Sequence, residues 1–280
     1  MEKILLAIDA TNPKRNALEF ACYLARLTKS KVTGIFLENQ VPAGIPILKQ
    51  LQKITSADWG EEENIEDYKA RQEELIENSI NHFKHGCICR DVNYNWHRDR
   101  GIPINELVEE SRFADLLITD AATSFSKQYD GIPSEFVKDV LKKAECPVVI
   151  APESFGAINE IIFAYNGSSS SVFAIKQFTY LFPQLCHTKA IIIKVTENGE
   201  WNGTDKHHLT EWLKDHYTDL EFEALKGNNY NRLFEYLFKR KNMILVMGAY
   251  GRNALSEFIK PNPADLLLKT VTQPIFIAHL

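Results

Sequence analysis

Residues 246 to 262 read VMGAYGRNALSEFIKPN. An apolar strand end, Gly248 and Gly251 three apart, Arg252 and a polar turn before a helix are the parts of a phosphate cradle. Glycines let backbone N–H groups come close to an anion, and a helix start leaves free donors facing it. Arg252 can clamp a phosphate or stand as a solvated loop charge. Pro261 offers no N–H, whereas Asn262 can donate to a phosphate oxygen and cap the helix that follows. Two glycines after a strand also describe a plain strand-to-helix turn, so this stretch alone leaves both readings open.

A second chemical constellation is HFKHGCICRDVNYNWH, with His82, His85, Cys87, Cys89 and His97 in a short span. Thiolates and imidazoles are zinc ligands, but the spacing is unlike paired ligand hooks. His82 and His85 fall at a helix end where the dipole alone favours histidine. A helix-to-strand junction without a metal is expected. His207, His208 and His216 belong to DKHHLTEWLKDHY and read as the polar face of a helix whose buried side carries Trp212 and Leu213. Glu73 and Glu77 sit at helical spacing on a solvated face, with nothing nearby to desolvate them for acid–base work. The chain has no GxSxG, GxxxxGK(S/T), HExxH or GxGxxG segment, and neither an SGGxDS nor a HIGH-type motif. No catalytic residue is assigned, and at most a slow ATPase is expected.

These residues must be positioned by something. The 280 residues, 45% hydrophobic, suffice for two packed domains. A formal charge of −5 gives no general attraction to nucleic acid or an anionic membrane. The apolar run before Asp9 is too short for a signal-peptide core, and nowhere do about 18 apolar residues run together. A soluble cytoplasmic protein is expected, its five irregularly spaced cysteines reduced.

An internal repeat sets the architecture. KILLAIDATNPKRNALEFACYLARL near the start matches EIIFAYNGSSSSVFAIKQFTYLFP later, placing Asp9 on Asn166 and Thr11 on Ser168. EFVKDVLKKAECPVVIAP matches DLLLKTVTQPIFIAHL, placing Pro147 on Pro274. The first half then holds about 30 residues that the second lacks, between the matched blocks. Strands are predicted at Ile4–Ile8, Val32–Leu37, Val92–Trp96, Leu116–Thr119 and Val148–Ile150, with helices near 13–28, 62–84, 103–112 and 134–144. The second half repeats the strands at Ile161–Tyr165, Ala190–Val195, Glu221–Leu225, Ile244–Met247 and Ile275–Ala278. Continuous apolar runs alternating with amphipathic helices predict an α/β chain of two tandem doubly wound five-stranded parallel-sheet domains, 1–152 and 153–280. Ligands of such folds bind beyond the carboxyl ends of strands, where strand order reverses. The short apolar last strands are expected to cover each other, and the proline-broken stretch around 40–60 to form a mobile arm.

This order of parts, ILLAIDAT at the opening, DLLIT or MILVMGAYGR as fourth strand and CPVVIAP or QPIFIAH as last strand, resembles the universal stress protein (UspA-like) family in its tandem form. The match spans nearly the whole chain except residues around 40–60. The resemblance implies an adenine nucleotide alpha hydrolase-like fold and a stress-response regulatory role. Members that bind ATP carry an Asp at the end of the first strand and a G-x2-G-x9-G-(S/T) segment after the fourth. In the second half Gly248, Gly251 and the nine residues Arg252 to Lys260 keep that spacing, but Pro261 and Asn262 replace the final pair and Asn166 replaces the Asp. An amide can still bond a ribose hydroxyl, more weakly than a carboxylate. The implied nucleotide site comprises Asn166, Gly167, Ser168, Val195, Gly248, Gly251, Arg252, Asn253 and Asn262, holding ATP or another adenine nucleotide, with Mg as its companion ion.

The first half keeps Asp9, but Asp120 and Thr123 stand where the two glycines would be, and Ser134 and Glu135 where the Gly-Ser pair would be. Carboxylates repel phosphate at short range, so the cleft of Asp9, Thr11, Asp120 and Thr123 is expected to be degenerate. Two functions follow: a regulatory module binding an adenine nucleotide in its second half, or a stress scaffold that acts through protein contacts or another small ligand. The chain is expected to be a pseudo-dimer in itself and open to homodimer formation.

Overall fold

A computed structural model describes residues 1–38, 65–126, 129, 131–227, 230–248 and 272–278. The arm expected around 40–60 falls on residues 39–64, outside the described ones.

Among the described residues ten strands form one sheet. They are β1 (Lys3–Asp9), β2 (Lys31–Leu37), β3 (Tyr94–Asp99), β4 (Leu116–Asp120), β5 (Val148–Ala151), β6 (Glu160–Ala164), β7 (Lys189–Thr196), β8 (Leu220–Lys226), β9 (Met243–Gly248) and β10 (Ile275–Ala278). Seven α-helices are described: α1 (Arg15–Thr28), α2 (Ile65–Ile88), α3 (Pro103–Ser111), α4 (Glu135–Lys143), α5 (Ser169–Leu181), α6 (Gly203–Leu213) and α7 (Tyr230–Phe238). The spatial order is β3-β2-β1-β4-β5-β10-β9-β6-β7-β8. Each half thus has the doubly wound order, with its reversal between β1 and β4 or between β6 and β9.

Local sequence explains the elements. The central strands are runs of β-branched and leucyl residues buried on both faces, so each side needs a helical layer. α1 buries Ala17, Leu18, Phe20, Ala21, Cys22, Leu24 and Ala25 on one stripe, and Lys29 ends it in the left-handed conformation at φ 55°. Ser134 starts α4 by accepting a hydrogen bond from the Val137 N–H at 3.1 Å, and Ser168 starts α5 by accepting one from the Ser171 N–H at 3.2 Å. One apolar layer lies under α1, α2, α5 and α6, and the other under α3, α4 and α7.

Two elements depart most from their predicted bounds. The second helix continues to Ile88 instead of stopping near 84, because Phe83 and Cys87 keep its apolar stripe against the sheet until Asp91, at φ 53°, reverses the chain. The third strand is Tyr94–Asp99 rather than Val92–Trp96, since Val92 is buried in the turn, where its N–H donates to the Cys87 carbonyl. β3 is an edge strand, and its Trp96 stays partly exposed beneath Lys84, whose Nζ lies 4.5 Å from the ring centroid.

Among the described residues all the strand pairs are parallel except one. β5 and β10 run antiparallel, with Val148, Val149 and Ile150 opposite Ile277, Phe276 and Ile275. The last strands therefore cover each other as expected, and the carboxyl ends of β1 and β4 open on the edge of the sheet opposite those of β6 and β9. The connection from β5 to β6 is fixed by Phe155, which packs edge-on against Phe20 and Tyr23 of α1. Phe276, fully buried in the seam, meets Phe178 at 5.2 Å and Phe182 at 6.3 Å. Replacing it with alanine is expected to lower the unfolding free energy by about 3–5 kcal/mol in urea titrations followed by tryptophan fluorescence. A change below about 1 kcal/mol would show that the seam contributes little.

Candidate functional site

The second-half edge is built from the ends of β6, β7 and β9, three neighbouring strands. β6 delivers Asn166, Gly167 and Ser168. Asn166 Oδ1 accepts a hydrogen bond from the Ser168 N–H at 3.1 Å, and Gly167 turns the chain at φ 89°. That left-handed angle suits glycine, and a Cβ there would meet nothing within 4 Å, so the backbone at Gly167 faces open space. Ser168 then caps α5, whose start lies at the same edge. β7 brings half-buried Val195 to the level just past Ile193, whose carbonyl accepts from the Tyr165 N–H at 2.9 Å.

β9 ends in Gly248, paired with Ala278. A Cβ at Gly248 would lie 2.5 Å from the Ser170 carbonyl carbon and oxygen and 2.7 Å from the Ser171 nitrogen. The glycine is therefore demanded by the close approach of β9 to the first turn of α5. Of the expected nucleotide residues, the fold gathers Asn166, Gly167, Ser168, Val195 and Gly248 at one edge. Gly251, Arg252, Asn253 and Asn262 lie outside the described residues.

Sequence reasoning missed an aromatic stack beside this edge. The tight turn after β7, tied by Thr196 Oγ1 accepting from the Gly199 and Glu200 N–H groups at 3.1 Å, lays Trp201 on Tyr165. The rings are nearly parallel, with centroids 5.8 Å apart. Lys194 lies over both rings and pairs with Asp205 at 2.7 Å. The visible signal was an aromatic residue directly before Asn166 and a tryptophan six residues after Val195.

The first-half edge has the same skeleton and a different filling. At the end of β1, Asp9 Oδ1 accepts from the Thr11 N–H at 2.9 Å, the Thr11 hydroxyl at 2.8 Å and the Asn12 N–H at 3.2 Å, so this carboxylate is spent on its own turn. At the end of β4 stands Asp120, paired with Ala151 as Gly248 is paired with Ala278. Its carboxylate accepts from the Ala122 N–H at 2.8 Å and from the Asn16 amide at 2.7 Å. Asn16 also donates to the Pro152 carbonyl at 2.9 Å, which ties the start of α1 to the connection between the halves. Nothing in the sequence pattern singled out Asn16.

Thr123 is buried, and its carbonyl accepts a hydrogen bond from the Ser134 hydroxyl. The Ser134 oxygen in turn takes a free N–H of α4, so a carboxylate and a cap occupy donors that an anion would need. Glu135 points elsewhere, pairing with Lys138 at 2.6 Å on the surface. That corrects the expectation that it faces the cleft. Asp9 and Thr123 share the lining of a cavity of about 20 Å³ with Pro13, Lys14 and His82, among others. Such a space holds about one water molecule, whereas ligand pockets run to several hundred Å³.

The zinc candidates are not assembled. Cys87 is buried on the inner face of α2, its sulfur 4.0 Å from that of Cys22. His82, His85 and Cys89 lie on the exposed side, where Cys89 Sγ is 3.4 Å from His85 Nε2. Among the described residues no three His, Cys, Asp or Glu side chains converge as metal ligands. His207 and His208 are exposed on α6, while Leu213 is buried and Trp212 half-buried against His216 at 4.4 Å. Among the described residues no helix is long and apolar enough to cross a membrane.

No family model matches the chain, and no curated protein does. Solved structures do. The chain is similar to a universal stress protein from Archaeoglobus fulgidus, at 14% identity and a TM-score of 0.71, over 99% of this chain and 98% of that one. A universal stress protein described as putative, from Pseudomonas aeruginosa, matches at 13% identity and a TM-score of 0.56, over 100% of this chain and 93% of that one. A universal stress protein family protein from Arabidopsis thaliana, solved with AMP bound, matches over 53% of this chain and 88% of its own at 17% identity and a TM-score of 0.34. The chain has the universal stress protein fold across its length.

Replacing Gly248 with alanine is expected to cost about 1–3 kcal/mol by overpacking against the Ser170 backbone. Gly203→Ala, where a Cβ meets nothing within 4 Å, serves as the control and is expected to leave the thermal midpoint unchanged or raised. Equal midpoints for the two variants would overturn the packing role of Gly248.

Proposed function

We propose that the chain is a cytoplasmic stress-response regulator of the universal stress protein type that binds an adenine nucleotide weakly in its second half and none in its first. The observation that carries this reading is the contrast at the ends of β4 and β9. In the first half the Asp120 carboxylate takes up the Ala122 N–H and the Asn16 amide. In the second half a glycine without any side chain stands at the corresponding strand end.

In this reading the adenosine lies over the ends of β6 and β7, near Asn166 and Val195. The phosphates meet Gly248, Gly251, Arg252 and Asn253, together with the helix start at Asn262. Mg accompanies the phosphates. Domains 1–152 and 153–280 act as an internal pseudo-dimer, and the protein's role is binding and signalling, with no catalytic residue assigned. A free nucleotide is the small-molecule partner, and protein partners read the loaded state.

A scaffold reading, in which no nucleotide binds, has one specific observation in its favour: the packing of Gly248 on Ser170 accounts for that glycine without any ligand. Titration calorimetry with Mg-ATP separates the two. Loss of one charge-assisted phosphate hydrogen bond at Pro261, on the order of 1.5–3 kcal/mol, weakens affinity roughly tenfold to a hundredfold, so wild-type binding is expected to be micromolar or weaker. Gly251→Glu is expected to abolish the heat and Pro261→Gly to strengthen binding. Equal heats for all three proteins, or none in any, would establish the scaffold reading.

A further inference from the structure

The helices α1 and α2 pack against each other. A Cβ on Gly86 would lie 2.7 Å from Leu18 Cδ2, so any larger residue there would make the Leu18 side chain shift. Arg90 fastens the crossing by donating to the Gly86 carbonyl at 3.1 Å and to Glu19 Oε1 at 3.0 Å. One residue beyond Gly86 and one helical turn beyond Leu18 stand Cys87 and Cys22. Both are free and fully buried, 65 residues apart in sequence, with their sulfurs 4.0 Å from each other.

We propose that Cys22 and Cys87 are an oxidisable pair that closes to a disulfide in response to hydrogen peroxide or another small hydroperoxide, locking α1 to α2. A sulfur–sulfur bond is about 2.05 Å long, so the sulfurs, now 4.0 Å apart, need to approach by about 2 Å. Cys22 is the attacking sulfur. The hydrogen bond from Cys87 holds its thiol below the usual range against the opposing effect of burial, and the Arg90 guanidinium adds to the lowering. The contact with Cys22 and then burial push the Cys87 thiol the other way, up from its usual range.

In the first step the Cys22 thiolate attacks one peroxide oxygen. The S–O bond forms, the O–O bond breaks, and the departing hydroxide takes a proton to become water. In the second, the Cys87 sulfur attacks the Cys22 sulfenic acid. The S–S bond forms, the S–O bond breaks, and the hydroxide leaves with the Cys87 proton as a second water. Two thiols lose two electrons and the peroxide gains them.

A polar groove of about 230 Å³ is lined by Asn16, Glu19, Arg90 and the segment Pro152–Phe155. Glu19 is three residues before Cys22 and Arg90 three after Cys87, so the groove lies at the same helix crossing as the two thiols, about one helical turn away along each helix.

The test is peptide mapping by mass spectrometry of the full chain, treated with a few equivalents of hydrogen peroxide and then alkylated with N-ethylmaleimide in denaturant. The expected result is a Cys22–Cys87 linked peptide that dithiothreitol reverses, with Cys146 still alkylated. The linked protein is expected to melt higher by on the order of 5 °C. Cys22→Ser and Cys87→Ser should each remove the linked peptide, and the wild-type map decides the matter even if a variant folds poorly. Full alkylation of both cysteines once exposed Cys89 is oxidised, a sulfinic acid on Cys22 without a link, or a link made through Cys89 instead would overturn the proposal.

Discussion

The antiparallel pairing of β5 with β10 is the constraint on which the rest of the molecule rests. Each strand is four residues long and fully buried, and each would be a bare apolar edge if its half stood alone. Pairing them joins two doubly wound sheets into one of ten strands and reverses the direction of the second half. The reversal sends the two switch-point edges to opposite sides, so no single ligand can be shared between them. It also lets a short connection suffice between β5 and β6, because β6 starts on the side where β5 ends. Phe155, packed on Phe20 and Tyr23, fixes that connection to α1.

Within this frame the halves have diverged by filling equivalent places with different groups. Asp120 answers its own loop's donors and draws in Asn16, so the first-half edge is satisfied internally. Gly248 leaves the corresponding place without a side chain, and the open turn at Gly167 stands beside it. The same logic of local satisfaction runs through α1 and α2, where Gly86 permits the approach, Arg90 fastens it, and the two buried thiols are left facing one another.

The doubly wound parallel architecture and the mutual cover of the last strands were legible because they follow from apolar runs, short apolar edges and an internal repeat. The end of α2 and the start of β3 were not. Val92 looks like a strand residue but is buried by a turn, and an edge strand with exposed Trp96 lacks the continuous apolar signal of a central one. At the site, the positions at strand ends could be read, since the repeat places Asn166 and Gly248 there. What those positions do could not. The demand for Gly248 comes from the Ser170 backbone, distant in sequence, and the quenching of Asp120 comes from Asn16, which no motif marks. The stack of Trp201 on Tyr165 depends on a turn whose shape only the folded chain supplies.

The central claim is that nucleotide binding belongs to one half alone, and amide hydrogen exchange with and without saturating Mg-ATP tests it most directly. The account predicts slowed exchange at Asn166–Ser171 and around Val195, with Asp9–Asn12 and Asp120–Thr123 unchanged. Protection of the first-half segments, or no protection anywhere in the chain, would contradict it.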